Sequence, residues 1–362
     1  MTHHKLSVGA VLLIVFGTVL TAAVAGVSAA ADDVRLIDAA KQNDQFVVRT
    51  LLEEGLDVNA RHPDGSTALL WATYHDDPET AGLLISAGAD VNAANDYGES
   101  PLSLACQHKN AALVDTLLNA GANPHAVKPS GETILMAAAR AGSLEIVHLL
   151  LARDPEVNAA EPAKHQTALM WAAAHKQHAV VDALIAAGAD VNAASTGGST
   201  ALHFAVQQGD VPIAKLLLAA GANVHAAMTV RQMDQFTLGL VETLDRMTPL
   251  WLAITNCRQD GAEYFAASSA LSAPRIRLSL SCPVNEELGA LFLDHGADPN
   301  AADGSRFPPL HRAVQTGMKN LVEALLSRGA DPNARVPSDV WQWTGKNRRG
   351  ARTILPVPIG AT

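Results

Sequence analysis

Histidines are the residues whose type and spacing come nearest to a reactive centre. His75 and His108 lie 33 residues apart, His175 follows 67 later, and His178 stands three residues beyond that. Imidazoles in a row are the usual material of metal sites and proton relays. If they recur once per stacked layer, however, successive copies stand about 10 Å apart. A zinc ligand must approach to about 2 Å, and Ala141 interrupts the row. No metal site is therefore expected. The carboxylate pairs Asp76/Asp77 and Glu286/Glu287 read as surface charge. No Ser/His/Asp set, phosphate-cradling glycine loop or CxxC is present, so neither a catalytic residue nor a cofactor is expected. Cys257 and Cys282 are spaced to close a 26-residue loop, worth roughly 3 kcal/mol by the chain-entropy argument in an oxidising compartment. Two unpaired thiols are the alternative, and Cys106 reads as a core position.

The elements that would position these side chains are set by a repeat. Gly88-Ala89-Asp90-Val91-Asn92 recurs as Gly188-Ala189-Asp190-Val191-Asn192, Gly296-Ala297-Asp298-Pro299-Asn300 and Gly329-Ala330-Asp331-Pro332-Asn333. The Asn-equivalent positions are Asn59, Asn92, His125, Asn158, Asn192, His225, Asn300 and Asn333, at intervals of 33, 33, 33, 34, 33, 75 and 33. Each unit holds two short apolar segments, too short to be stable helices alone. Thr67, Thr133, Thr167, Thr200 and Thr248 stand where a helix N-cap belongs. Glycines from Gly55 to Gly329 end the second segment, where a left-handed residue is needed. Neighbouring units must stack to bury leucine pairs such as Leu117/Leu118 and Leu325/Leu326.

Thr200-Ala201-Leu202-His203-Phe204-Ala205, Thr248-Pro249-Leu250-Trp251-Leu252-Ala253 and Pro309-Leu310-His311-Arg312-Ala313, taken with the Gly-Ala-Asp blocks, make the chain resemble the ankyrin repeat family. The resemblance covers residues 33–335. It implies an all-α ankyrin-repeat solenoid of helix-turn-helix units with β-hairpin finger loops, in repeats of about 32–62, 63–95, 96–128, 129–161, 162–194, 195–227, 228–302 and 303–335. The first unit lacks the T-P-L-H segment and reads as the N-terminal cap. Only His203 and His311 keep the signature histidine, which weakens the expected internal hydrogen bonding. The family's groove positions map onto Tyr74, His75, Gln107, His108, Arg140, His175, Gln207 and Gln208. Trp71 and Trp171 are expected in the core. Trp251, Trp341 and Trp343 lie beside insertions and are expected to be binding anchors, where tryptophan is enriched.

The long interval holds two insertions. About 15 residues within 225–247 lengthen the finger between repeats six and seven, and 27 more lie between Asn256 and Asn285. Residues 336–362 form a basic, Trp-containing extension, and Gly360-Ala361-Thr362 matches the start of a further repeat, so a longer chain is expected.

Composition bounds the function. Of 362 residues, 48% are hydrophobic and 17% charged, and the formal net charge is −10. The basic extension makes the body more acidic still, which argues against a nucleic-acid partner. Residues 1–31 have a basic start, an apolar run at residues 8–20 and a small-residue end, the pattern of a signal peptide cleaved near Ala29–Ala31. An uncleaved anchor is the competing reading, since residues 6–31 carry no charge and are long enough to span a bilayer. Periplasmic or secreted localisation follows, with membrane contact only if the segment stays uncleaved. The expected function is a non-catalytic scaffold that binds a protein through the groove and the loops around repeat seven. The alternative is a targeting or regulatory module of a longer exported enzyme.

Overall fold

Thr67, Thr133 and Thr167 each accept a hydrogen bond from the backbone N–H three residues on, at Leu70 (3.2 Å), Met136 (3.2 Å) and Met170 (3.4 Å), in the computed structural model of the chain. Each bond satisfies a donor that a helix start otherwise leaves bare. Beyond each second helix the turn is made by a residue at positive φ, a glycine such as Gly121 (φ 94°) everywhere except after α8, where Asp154 (φ 52°) takes the place; glycine adopts this conformation at little steric cost.

The structure describes residues 34–233, 241–255, 283–302 and 307–335. The expected signal segment, the inner insertion with Cys257 and Cys282, and the extension with Trp341 and Trp343 lie outside the described residues. The chain divides into two compact units, meeting at Pro155 and Glu156.

The first unit holds α1 (residues 34–41), α2 (Gln45–Glu53), α3 (Ala68–Tyr74), α4 (Pro78–Ser86), α5 (Pro101–His108), α6 (Ala111–Asn119), α7 (Ile134–Ala141) and α8 (Leu144–Leu151). These are four helix pairs, and α3 packs on α5 and α5 on α7. Leu69, Leu84, Leu102, Leu113, Leu117, Ile134 and Ile146 are fully buried between layers, each contributing roughly 1.5–3 kcal/mol by removal of apolar surface from water.

The second unit holds α9 (Ala168–Ala174), α10 (His178–Ala186), α11 (Ala201–Gln208), α12 (Val211–Ala219), α13 (Pro249–Thr255), α14 (Pro283–Asp294), α15 (Pro309–Gln315) and α16 (Lys319–Ser327). The finger between α12 and α13 is extended into an antiparallel pair, β1 (Met228–Met233) and β2 (Val241–Met247), with Met228 opposite Met247. The expected lengthening of this finger is thus a β-hairpin.

Within each unit the fingers are stapled by asparagine. Asn59 Nδ2 donates to the Gly88 carbonyl at 3.1 Å while its Oδ1 accepts from the Asp90 N–H. Asn92 does the same with Gly121 and Asn123, Asn192 with Gly221 and Asn223, and Asn300 with Gly329 and Asp331. Each side chain thus satisfies a donor and an acceptor of the following repeat, a role that spacing alone had not revealed.

Candidate functional site

In the first unit, Tyr74 ends α3 and is 54% exposed. It meets Trp71 edge-on at 5.4 Å, His75 at 5.4 Å and His108 at 6.4 Å, the last across the gap to α5. Such edge-to-face pairs satisfy the ring quadrupoles. His75 caps α3 and its Nε2–H donates to the Lys41 carbonyl at 2.8 Å. The Lys41 ammonium stands 5.1 Å from the centre of the Trp71 ring, within cation–π range. Three successive layers thus contribute to one aromatic and imidazole cluster.

A polar cluster adjoins it. Gln107, the neighbour of His108, donates to Glu99 Oε2 at 3.1 Å, and Ser103 Oγ donates to the same oxygen at 2.7 Å. Lys128 Nζ bridges Glu99 at 2.8 Å and Glu132 at 3.5 Å, and Arg140 reaches Glu132 at 3.1 Å. Burial alone would raise the Glu99 carboxyl, but hydrogen bonds from Lys128, Ser103 and Gln107 hold it below its ordinary value. Of the expected groove residues, Tyr74, His75, Gln107, His108 and Arg140 therefore fall on one strip along the ends of α3, α5 and α7.

In the second unit, His175 caps α9 and its Nδ1–H donates to the Trp171 carbonyl of its own helix at 2.9 Å. Gln207 is half-buried and Gln208 exposed at the end of α11. His178 pairs with Asp210 at 2.9 Å. Among the described residues no group of His, Cys, Asp and Glu is arranged to hold a metal ion.

Three expectations are corrected. Trp251 is 1% exposed, and its indole donates to the Ala301 carbonyl at 2.7 Å. It occupies the place of the signature histidine, on the helix face that the next layer covers, so it is a core residue and not a binding anchor. Trp71 and Trp171, expected in the core, are only half-buried. They fall one residue further along α3 and α9, about a third of a turn away. Loss of the signature histidine has also not stripped the internal bonding: Ser103 Oγ accepts from the Ser100 N–H at 2.9 Å, and Met136 Sδ from the Thr133 N–H at 3.5 Å.

Helix pairs of this period joined by hairpin fingers are matched by known sequences. A family model described as Ankyrin repeats (3 copies) matches residues 36–128, 102–195 and 135–228, and one described as Ankyrin repeat matches residues 306–336. The chain belongs to the ankyrin repeat family. An ankyrin repeat-containing protein of Schizosaccharomyces pombe is 46% identical over 43 residues, which are 12% of this chain and 21% of that protein. The chain thus aligns with about a fifth of that curated relative. The crystal structure of the human ASB11 ankyrin repeat domain superposes with a TM-score of 0.53 at 25% identity, covering 73% of this chain and 98% of that one. Ankyrin repeats are in general protein–protein interaction modules and are typically non-catalytic. No described helix is long and apolar enough to cross a membrane.

Proposed function

We propose that this protein is an exported, non-catalytic scaffold that captures a protein partner on the strip formed by Tyr74, His75, Gln107, His108 and Arg140. The observation that carries the reading is the exposed Tyr74 ring, held by three aromatic neighbours and flanked by the Lys128 network. Rigid aromatic anchors beside fixed polar groups are the usual centre of a protein interface, and prior ordering lowers the entropy lost on binding. The N-terminal segment, with its apolar run and small-residue end, supports export to the periplasm or beyond. His175, Gln207 and Gln208 extend the proposal to the second unit as secondary contacts.

The test is site-specific photocrosslinking in the source cells. A photoreactive residue at Gln107 should give an adduct of one defined mass, and the same residue at the exposed Glu145 of α8 should give none. Tyr74→Ala should abolish the adduct while the protein stays folded at the temperature of the experiment, as circular dichroism would show. Equal yields at both sites, or indifference to Tyr74→Ala, would contradict the strip as the binding surface.

A further inference from the structure

The last repeat presents an apolar face that every other repeat has covered. Val314, on α15, is 61% exposed. Its counterparts in the seven preceding helices of that type are Ala40, Thr73, Cys106, Ala139, Ala173, Val206 and Ile254, and all are at most 1% exposed. On the second helix Leu326 of α16 is exposed, whereas its counterparts Leu118, Leu218 and Leu293 are buried and Leu52, Ile85, Leu151 and Ile185 are half-buried. Two branched side chains from neighbouring helices thus lie bare where the stacking rule of the fold places a further layer.

We propose that residues 336–362 of the same chain close this face, with Trp341 and Trp343 seated over Val314 and Leu326. Two observations select this occupant. In each interior repeat the covering layer is the chain that follows the finger, and residue 336 follows the finger of the last repeat directly. The segment is rich in large apolar residues, with Trp341, Trp343, Ile354, Leu355, Val357 and Ile359. Reach is not limiting, because α16 is only about 14 Å long and an extended segment of this length spans several times that. A second molecule stacked end to end is the rival occupant. Tethering favours the segment, since a short linker gives an effective concentration in the millimolar range. This assignment is independent of the strip in the first unit and gives Trp341 and Trp343 an intramolecular role.

Hydrogen exchange read by mass spectrometry decides the matter. Three proteins are compared: the full chain, the chain ending at Arg335, and the full-length double variant Trp341→Ser/Trp343→Ser. Amides of α15 and α16 should exchange at least tenfold faster in both altered proteins, while those of α9 to α12 keep their rates. Val314→Asp in the full chain should reproduce the effect from the other side of the contact. Unchanged exchange of α15 and α16 on truncation would overturn the proposal. Protection that rises with protein concentration and survives truncation would also overturn it, and would assign the face to a second copy.

Discussion

The indole N–H of Trp251 donates to the carbonyl of Ala301, fifty residues further along the chain, at 2.7 Å. The relationship has a counterpart one repeat earlier, where His203 Nε2–H donates to the Met247 carbonyl at 3.2 Å. Both side chains stand at the same place in their helices, and both tie a first helix to the finger that follows it. Tryptophan has taken over the bonding role of the family histidine and adds a larger apolar body, which packs edge-on against Phe307 at 6.5 Å.

Replacing Trp251 with Phe keeps an aromatic body and deletes the donor. The Ala301 carbonyl then loses its partner and part of the cavity is left unfilled. A loss of about 2–4 kcal/mol is expected from the two effects together. Urea unfolding followed by circular dichroism measures it. A change below about 0.5 kcal/mol would show that the bond in this finger carries no weight.

His203 makes stability depend on pH in a definite window. Burial pushes its imidazole down to about 4 from its ordinary 6.5, against the pull of the Met247 and Ala226 carbonyls. Folding therefore favours the neutral ring. Its contribution is fully present above pH 6.5 and is lost as pH falls toward 4, in total about 3 kcal/mol. The lowered carboxylates Asp64, Asp77, Glu99 and Glu161 start from values of 3.8 and 4.5. Their stabilisation stands above those values and disappears only below them. Unfolding free energy should thus already decline between pH 6.5 and 5, and His203→Gln should flatten that slope. An equal slope in the variant would assign the decline to other groups.

Lys128 is the keystone of the polar cluster, its side chain 9% exposed between Glu99 and Glu132. Lys128→Met retains the stem and removes the charge, leaving two partly buried carboxylates facing each other. A cost of about 2–3 kcal/mol at pH 7 is expected. The cost should shrink near pH 4, because protonation relieves a carboxyl that burial pushes upward once its cation is gone. Thermal melts of the two proteins at both pH values test this, and a cost independent of pH would exclude the electrostatic account.

Thiol counting separates the cysteines. Cys106 is buried against the layer above, and burial pushes its thiol up to about 12, so it should react with a disulfide reagent only after unfolding. If Cys257 and Cys282 are bridged, the native oxidised protein shows no reactive thiol, and denaturation reveals one. Two fast thiols in the native state would refute the bridge.

Repetition explains which features were legible from residues alone. A cap such as Thr67, present in five repeats, or a turn glycine such as Gly121, present in seven, is dictated by local backbone chemistry, and repetition exposes it. The position of Tyr74 at a helix end followed from the same register. Trp251 and Trp71 were misassigned because the decision between core and surface rests on one residue of offset in a seven-residue helix. That offset is a third of a turn, and only packing against the neighbouring layer resolves it. The Glu99–Lys128–Glu132 cluster was missed for another reason. Its members come from two successive fingers, and no single-repeat motif joins them. Asn59 and its counterparts had been counted as markers of the period, yet their bonds reach 29 and 31 residues ahead, beyond any local rule.

His311 shows what the family box loses when its first residue changes. In the sixth repeat, Thr200 offers its N–H and hydroxyl to His203 Nδ1, at 3.1 and 3.0 Å. In the eighth, Pro308 stands in that place, with neither an N–H nor a hydroxyl, and His311 Nδ1 is buried with no hydrogen-bond partner. Pro308 holds φ −69° and ψ 143°, an extended conformation that threonine also adopts with ease. Pro308→Thr should restore both bonds and the N-cap of α15. A gain of about 0.5–1.5 kcal/mol is expected, reduced by the greater freedom that the unfolded chain acquires without proline. Pro308→Val supplies the N–H without the hydroxyl and should recover only part of it. Equal stability of the threonine and valine variants would show that the hydroxyl has no share in the box. A loss in both would show that proline rigidity at this helix start outweighs the bonds it forgoes.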